Sequence, residues 1–347
     1  MTYQQVYVAA LGYELAPEVV TTPELEERLL PVYRRHGILP GQLQAWTGID
    51  ERRWWRKDPP LAAAAAAAAR KALAGTAIRP ADLGAVIYAG VCRENFEPAT
   101  ACAVADALGV TGAATVYDLS NACLGVLNGI IDIANRIELG QIRAGVVVAC
   151  ESAREINEIM LARLLEGADM ETFSAAIATF TGGSGAAAVV LSDATLAAGG
   201  GHRLRGAVSR VEPVHHRLCR WGLAPGPGGA ERQFMSTDSV AVLRYGVQLG
   251  QRTWRDFLDA MGWTAAQVDR VICHQVGSGH QEAIRAALGL PPEKDFSTFR
   301  FLGNMGTAAL PVTAAIAAER GVLSPGQRVG FLGIGSGLTC LMMGLEW

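Results

Sequence analysis

The chain of 347 residues repeats itself at long range. IRPADLGAVIYA, from Ile78 to Ala89, aligns without a gap with WTAAQVDRVICH, from Trp263 to His274, an offset of 185. Each reads as a helix end, a short polar turn and a strand, and the helices expected after them both finish in ALG, at Ala107 to Gly109 and at Ala287 to Gly289. Further on, Asn121 to Val148 aligns with Asn304 to Phe331 at an offset of 183. Identities are few there, but a glycine-bearing turn, a long helix, a polar turn and a buried strand follow in the same order. Any two βα units look alike; two separate segments that agree on nearly one offset argue for a duplicated α/β unit. One copy is expected within residues 2–193 and the other within 206–347.

Composition fits that architecture. The length exceeds a single core, so two intimately packed halves are expected. Half of the residues are hydrophobic, 40 are glycine and 18% are charged, which suits an α/β enzyme better than a disordered or fibrous chain. A net charge of -3 gives no electrostatic case for nucleic acid. No stretch of about 18 apolar residues exists, so no integral membrane segment is expected. The run Ala62 to Ala69 reads as an alanine-rich helix lying close against a sheet. Seven cysteines, an odd number without a CxxC pair, and no signal-peptide pattern at the start point to a reducing cytoplasm.

If the halves pack about a pseudo-twofold axis, Cys123 and Asn304 lie at equivalent strand-to-helix junctions. His274 ends a strand equivalent to the one ending near Ala89. Three polar groups distant in sequence then converge on one pocket between the halves. Cys123, between ATVYDLS and LGVLNGIIDIANRIELG, should occupy a helix N-terminus, where unpaired N–H groups and the helix dipole favour a thiolate. Its neighbours Ala122 and Gly125 should leave room for a substrate. Cys92, Cys102, Cys150, Cys219, Cys273 and Cys340 read as inert core thiols. His274 can donate to a developing oxyanion or shuttle a proton, whereas His280 should belong to the next helix. His215 and His216 lack a thiol or carboxylate at zinc-ligand spacing and read as surface or pocket lining. Asn304, framed by Gly303 and Gly306, is either a turn residue bonding its own backbone or a donor in the pocket. GIGSG lacks GxGxxG spacing and TGGSG lacks a GxSxG elbow, so both read as close backbone approaches around the pocket.

Together SNACLGVLNG, CHQVGSGH, GNMGTAALP and GIGSGLTC resemble the thiolase superfamily, and within it the ketoacyl synthase III branch. The resemblance spans essentially the whole chain and implies a layered αβαβα core. It implies that Cys123 takes an acyl group from a thioester, with its backbone N–H and that of Ser336 forming one oxyanion hole. His274 and Asn304 would form a second around the enolate oxygen of the other substrate. Two carbonyl oxygens become negative at different steps, and each needs fixed donors.

Condensing two ordinary acyl thioesters also requires a base to remove an α-proton. Glu97, between Phe96 and Pro98, is a loop carboxylate that partial desolvation would make more basic. RENFEPATA resembles the segment supplying the catalytic glutamate in the OleA-type acyl-CoA:acyl-CoA alkyltransferases of olefin biosynthesis, where it acts in trans across a homodimer. GIDERRWW, RLCRWG and MSTDSVAVLRYGVQLG are similar to that subgroup as well. Gly277 stands where close relatives are expected to carry serine, and the WGLAPGPGGAERQF loop is glycine-rich near the expected entrance.

The expected activity is non-decarboxylative Claisen condensation of two fatty acyl-CoA molecules, giving a 2-alkyl-3-ketoacyl product or its acid. CoA thioesters are substrates, and neither cofactor nor metal is required; a homodimer and downstream lipid-biosynthesis enzymes are the expected partners. The alternative is a decarboxylating 3-oxoacyl-ACP synthase III using malonyl-ACP, against which Glu97 speaks. A short-chain thiolase-like condensation, a hydrolase and a noncatalytic acyl-binding scaffold are further readings.

Overall fold

The computed structural model describes residues 1–197, 200–225 and 229–347. In chain order its strands are β1 (Val6–Leu15), β2 (Glu18–Thr21), β3 (Glu51–Trp54), β4 (Leu83–Tyr88), β5 (Thr115–Asp118), β6 (Ala144–Glu151) and β7 (Gly185–Asp193). There follow β8 (His202–Val211), β9 (Cys219–Pro225), β10 (Glu231–Thr237), β11 (Arg270–Cys273), β12 (Arg328–Gly335) and β13 (Thr339–Glu346). Nine of them form one sheet in the order β11-β12-β13-β8-β1-β7-β6-β4-β5, while β2-β3 and β9-β10 are separate hairpin-like pairs.

The long-range repeat is visible in this order. Each aligned segment contains a single helical turn, Pro80–Asp82 or Ala265–Gln267, followed by β4 or β11. The next helices, Thr100–Leu108 and Ser278–Leu288, close on Gly109 and Gly289 in the left-handed conformation that glycine adopts at helix ends. β4 pairs parallel with β6 as β11 does with β12, and β6 pairs antiparallel with β7 as β12 does with β13. An isolated parallel bridge between Val271 and Asp295 stands where the first run has the β4–β5 pairing. Among the described residues the two runs meet where β1 pairs with β8, Tyr7 with Arg203 and Val8 with His202, and at an isolated bridge between Thr2 and Gly206.

Alternation along these strands builds the layers. Ile87, Val147 and Val189 from one run, and Ile272, Phe331 and Met343 from the other, point into a shared central core. Their neighbours Val86, Val146 and Val190 enter a second core beneath the helices Leu61–Ala74 and Thr100–Leu108. Val271, Leu332 and Met342 enter a third beneath Ser239–Met261 and Ser278–Leu288. Strands apolar on both faces are what a sheet covered by helices on each side requires. Two helices, Gly125–Glu138 and Ala309–Glu319, fill the central layer, and every residue of the latter from Ala309 to Ala317 is buried. A helix apolar all round belongs inside a protein, and the result is the layered αβαβα arrangement.

The alanine run is a helix, Leu61–Ala74, seated against β1 and β7. Its closeness depends on Gly12 of β1, where an added Cβ would stand 2.2 Å from the Ala68 carbonyl oxygen. No helix among the described residues is long and apolar enough to cross a membrane. Gly12→Val therefore forces backbone apart rather than a side chain aside, and is expected to destabilise the fold by about 3 kcal/mol. Chemical denaturation checks this, and an unchanged midpoint would show that the helix is not seated on β1.

Candidate active site

β5 runs into a turn and then into a short 3-10 segment, Ala122–Leu124, that opens the helix Gly125–Glu138. Cys123 sits in that segment, at the helix start expected of it. Ala122 before it is held at φ 45°, a left-handed conformation that an L side chain adopts at a cost of about 1 kcal/mol. Leu124 after it is fully buried and anchors the turn. Gly125 does not make room for substrate, as its sequence position suggested. Its missing side chain admits main chain, because a Cβ there would lie 2.3 Å from the Ala89 carbonyl oxygen. One residue on, the Val126 amide donates to Thr307 Oγ1 at 2.7 Å, tying this helix start to the turn after Asn304.

His274 follows β11 directly, and its amide donates to the Leu332 carbonyl at 2.8 Å. Its ring Nδ1 is buried without a hydrogen-bond partner among the described residues. Burial, with His280 nearby, pulls the imidazole down to about 4, so the ring is neutral at physiological pH. Asn304 is held by its own backbone, its amide donating to Thr181 and its carbonyl accepting from Gly183, both at 2.8 Å. Its Oδ1 accepts from the Gly306 amide at 3.0 Å. That bond orients the side chain and leaves its NH₂ group as donor. Ser336 lies in the turn between β12 and β13, and a Cβ on adjacent Gly335 would stand 3.6 Å from the Cys123 amide nitrogen.

Cys123, His274, Asn304 and Ser336 line one cavity of about 690 Å³, a size suited to a small-molecule ligand. One wall is a stripe along the helix Ser239–Met261, formed by Ser239, Val242, Leu243, Gly246, Val247 and Gly250. That spacing is one face of an α-helix, and it runs for roughly 16 Å at 1.5 Å per residue. Trp221, Leu223 and Phe234 of the β9–β10 pair cover another side. Positions 226–228 of the glycine-rich loop that joins them lie outside the described residues.

Charge in this cavity differs from the expectation drawn from a helix N-terminus. Burial pushes the Cys123 thiol up to about 12, reinforced by the Cys219 thiol and the Glu151 carboxylate nearby. Desolvation thus outweighs the helix-start donors, and both thiol and imidazole rest neutral.

Glu97 lies outside the lining of this cavity, on an exposed loop beside Phe96, which is 100% exposed. Phe96 therefore does not desolvate Glu97 within one chain. His280 belongs to the helix Ser278–Leu288, as expected, and also lines the cavity. His215 stacks on Tyr245 with ring centroids 4.0 Å apart, and His216 is exposed; neither lines the cavity. Among the described residues no three His, Cys, Asp or Glu side chains group as a metal site. Sequence reasoning missed Cys219 and Glu151, which line the cavity, and Thr307, which ties the Cys123 helix to the Asn304 turn. The signal for Glu151 was a single carboxylate closing the apolar run AGVVVAC.

The raised thiol pKa has a direct consequence. Alkylation of Cys123 by iodoacetamide in the substrate-free protein should rise about tenfold per pH unit between about pH 7 and 9, because only the thiolate reacts. Peptide mass spectrometry reads this out, and a plateau below pH 8 would mean a stabilised thiolate.

Comparison with known proteins agrees with this geometry. Residues 258–347 match the family described as 3-oxoacyl-[acyl-carrier-protein] synthase III C terminal. The acyl-CoA:acyl-CoA alkyltransferase of Shewanella oneidensis is 53% identical over 100% of both chains. The Xanthomonas campestris protein of the same name is 35% identical, again over 100% of both. A crystal structure of Xanthomonas campestris OleA with bound cerulenin superimposes with a TM-score of 0.93 at 35% identity, covering 100% of this chain and 98% of that one. That protein has also been solved with a cysteine, a glutamate or a histidine replaced. Sequence likeness over the full length and a shared fold together establish that the chain belongs to the acyl-CoA:acyl-CoA alkyltransferase (OleA) family of thiolase-superfamily condensing enzymes.

Proposed function

We propose that the protein joins two fatty acyl-CoA molecules by a non-decarboxylative Claisen condensation. The observation that carries this reading is the convergence of Cys123, His274 and Asn304 on one cavity whose long wall is apolar. Cys123 attacks the thioester of the first acyl-CoA, and its thiol proton leaves with CoA by way of the neutral His274 imidazole. The Cys123 and Ser336 amides stabilise the oxyanion of that step. The α-carbon of the second acyl-CoA then loses a proton to Glu97 of the partner subunit. Its enolate oxygen is held by His274 and the Asn304 NH₂ group. The carbanion attacks the acyl-Cys123 carbonyl, the Cys123 sulfur leaves, and a 2-alkyl-3-ketoacyl thioester forms. Release as the acid or transfer to a downstream lipid-biosynthesis enzyme completes the cycle. Only protons and acyl groups move, so CoA enters as part of the substrates and no redox or metal cofactor is called for.

Two features support a homodimer with Glu97 acting in trans, and a third supports Glu97 itself. The loop of Glu97 is exposed and carries the fully exposed Phe96, an apolar group that a second copy would cover. β5 is an edge strand of the nine-stranded sheet. In the Xanthomonas campestris variants, the substituted glutamate precedes the substituted cysteine by the same interval as Glu97 precedes Cys123. On this reading residues 2–193 supply the nucleophile and 206–347 the histidine and asparagine, in a cytoplasmic enzyme. The match of residues 258–347 to the synthase III family favours one alternative, decarboxylating condensation with malonyl-ACP.

Two variants test the assignment. Cys123→Ala should form no acyl adduct by intact mass, and Glu97→Ala should acylate but fail to condense. Mixed and allowed to exchange subunits, the two should regain condensation that neither shows alone, since a heterodimer holds one complete site. No recovery after verified exchange would remove the trans role, and normal condensation by Glu97→Ala would remove the base.

A further inference from the structure

Glu151 closes β6, is 5% exposed and lines the cavity. It forms no ion pair among the described residues. Its carboxylate instead accepts backbone amides, Val91 N–H on Oε1 at 2.9 Å and Cys92 N–H on Oε2 at 3.2 Å. Val91 and Cys92 are the root of the loop that carries Glu97. On another side lies Gly306, so near that an added Cβ would stand 3.3 to 3.4 Å from Glu151 Cγ, Cδ and Oε1. The Gly306 amide is the donor that orients Asn304. One buried carboxylate thus reaches the turn that orients Asn304 and the root of the loop whose Glu97, on the reading above, serves the partner subunit's site.

Resting on the reaction proposed above, we infer that Glu151 is a positioning residue for the condensation step: ionised, it clamps the root of the Glu97 loop against the turn that carries Asn304. The residue type fits the task. Two separate amides aimed at two oxygens require a group that only accepts, and glutamine would turn an NH₂ toward one of them. A protonated carboxyl would likewise set an O–H donor against an N–H donor. Among the described residues, the titratable groups facing Glu151 are Tyr88, Cys92, Cys123 and Cys150, all neutral, and no cation pairs with it. Burial pushes the carboxyl up to about 7, against the amides that lower it, so the clamp engages as pH rises through neutrality.

The test separates the clamp from the overall reaction. Acyl-Cys123 formation and condensation are measured on the wild type and on Glu151→Gln across about pH 6 to 8. The ratio of condensation to acylation should rise through neutrality in the wild type. In Glu151→Gln it should be about tenfold lower or less and lack that rise, as expected for losing a hydrogen bond to a charged group. Glu151→Asp, one methylene shorter, should keep the rise at a reduced ratio. A purely structural role would lower stability without touching the pH profile. Hydrogen exchange of the Val91 and Cys92 amides in the wild type decides the matter even if Glu151→Gln does not fold or no condensation occurs. Corrected for intrinsic rates, protection should increase about tenfold from pH 6 to pH 8. Constant protection, or a glutamine variant with the wild-type ratio and profile, would overturn the inference.

Discussion

A buried hydrogen bond joins the turns that carry Cys123 and Asn304: the Val126 amide donates to the Thr307 hydroxyl. Val126 begins one central helix and Thr307 precedes the other, and both helices are walled in by the two runs of the sheet. The first turns of such helices carry amides that find no partner within the helix. Here one of those amides is satisfied by the opposite copy of the duplicated unit. The Cys123 turn and the Asn304 turn are thereby held to each other. Gly125 leaves its side-chain space to the Ala89 carbonyl of its own half, and a Cβ there would also stand 3.4 Å from Thr307 Oγ1.

That arrangement explains the electrostatics of the cavity. Pressing two helix starts together inside a layered core removes water from whatever stands between them. Cys123 and His274 are consequently both neutral, with the thiol raised and the imidazole lowered by the same desolvation. In the proposed reaction this is a working state, because a thiol and a free imidazole can exchange the proton that an ion pair would already have moved. The long apolar wall along Ser239–Met261 suits an alkyl chain. In the proposed reaction, the exposed position of Glu97 is what favours supply of the base by a second copy of the chain.

Much of this was legible in the sequence, for definable reasons. The offsets of 185 and 183 were readable because paired strands and the helices packed on them keep their hydrophobic spacing and their glycine caps. Cys123, His274 and Asn304 could be singled out because each stands at a junction between an apolar run and a turn, where α/β proteins collect polar function. Thr307 and Glu151 were not, since their partners are backbone amides from distant segments and a backbone amide leaves no mark in a sequence. The thiol's resting state was misjudged for a related reason. A helix N-terminus can be read locally, whereas the burial that overrides it depends on β9, β10 and the second half of the chain closing over the site. Gly125 likewise looked like space for a ligand until the strand end that fills it came into view.

The central claim is that two acyl-CoA molecules condense here without loss of a carboxyl group. The most direct test is to supply the purified protein with one long-chain acyl-CoA and no malonyl donor, follow free CoA, and identify products by mass spectrometry. The account predicts a 2-alkyl-3-ketoacid, or the ketone left when it loses carbon dioxide. An acyl-Cys123 adduct that advances only when a malonyl donor is added, or CoA release yielding fatty acid alone, would contradict it.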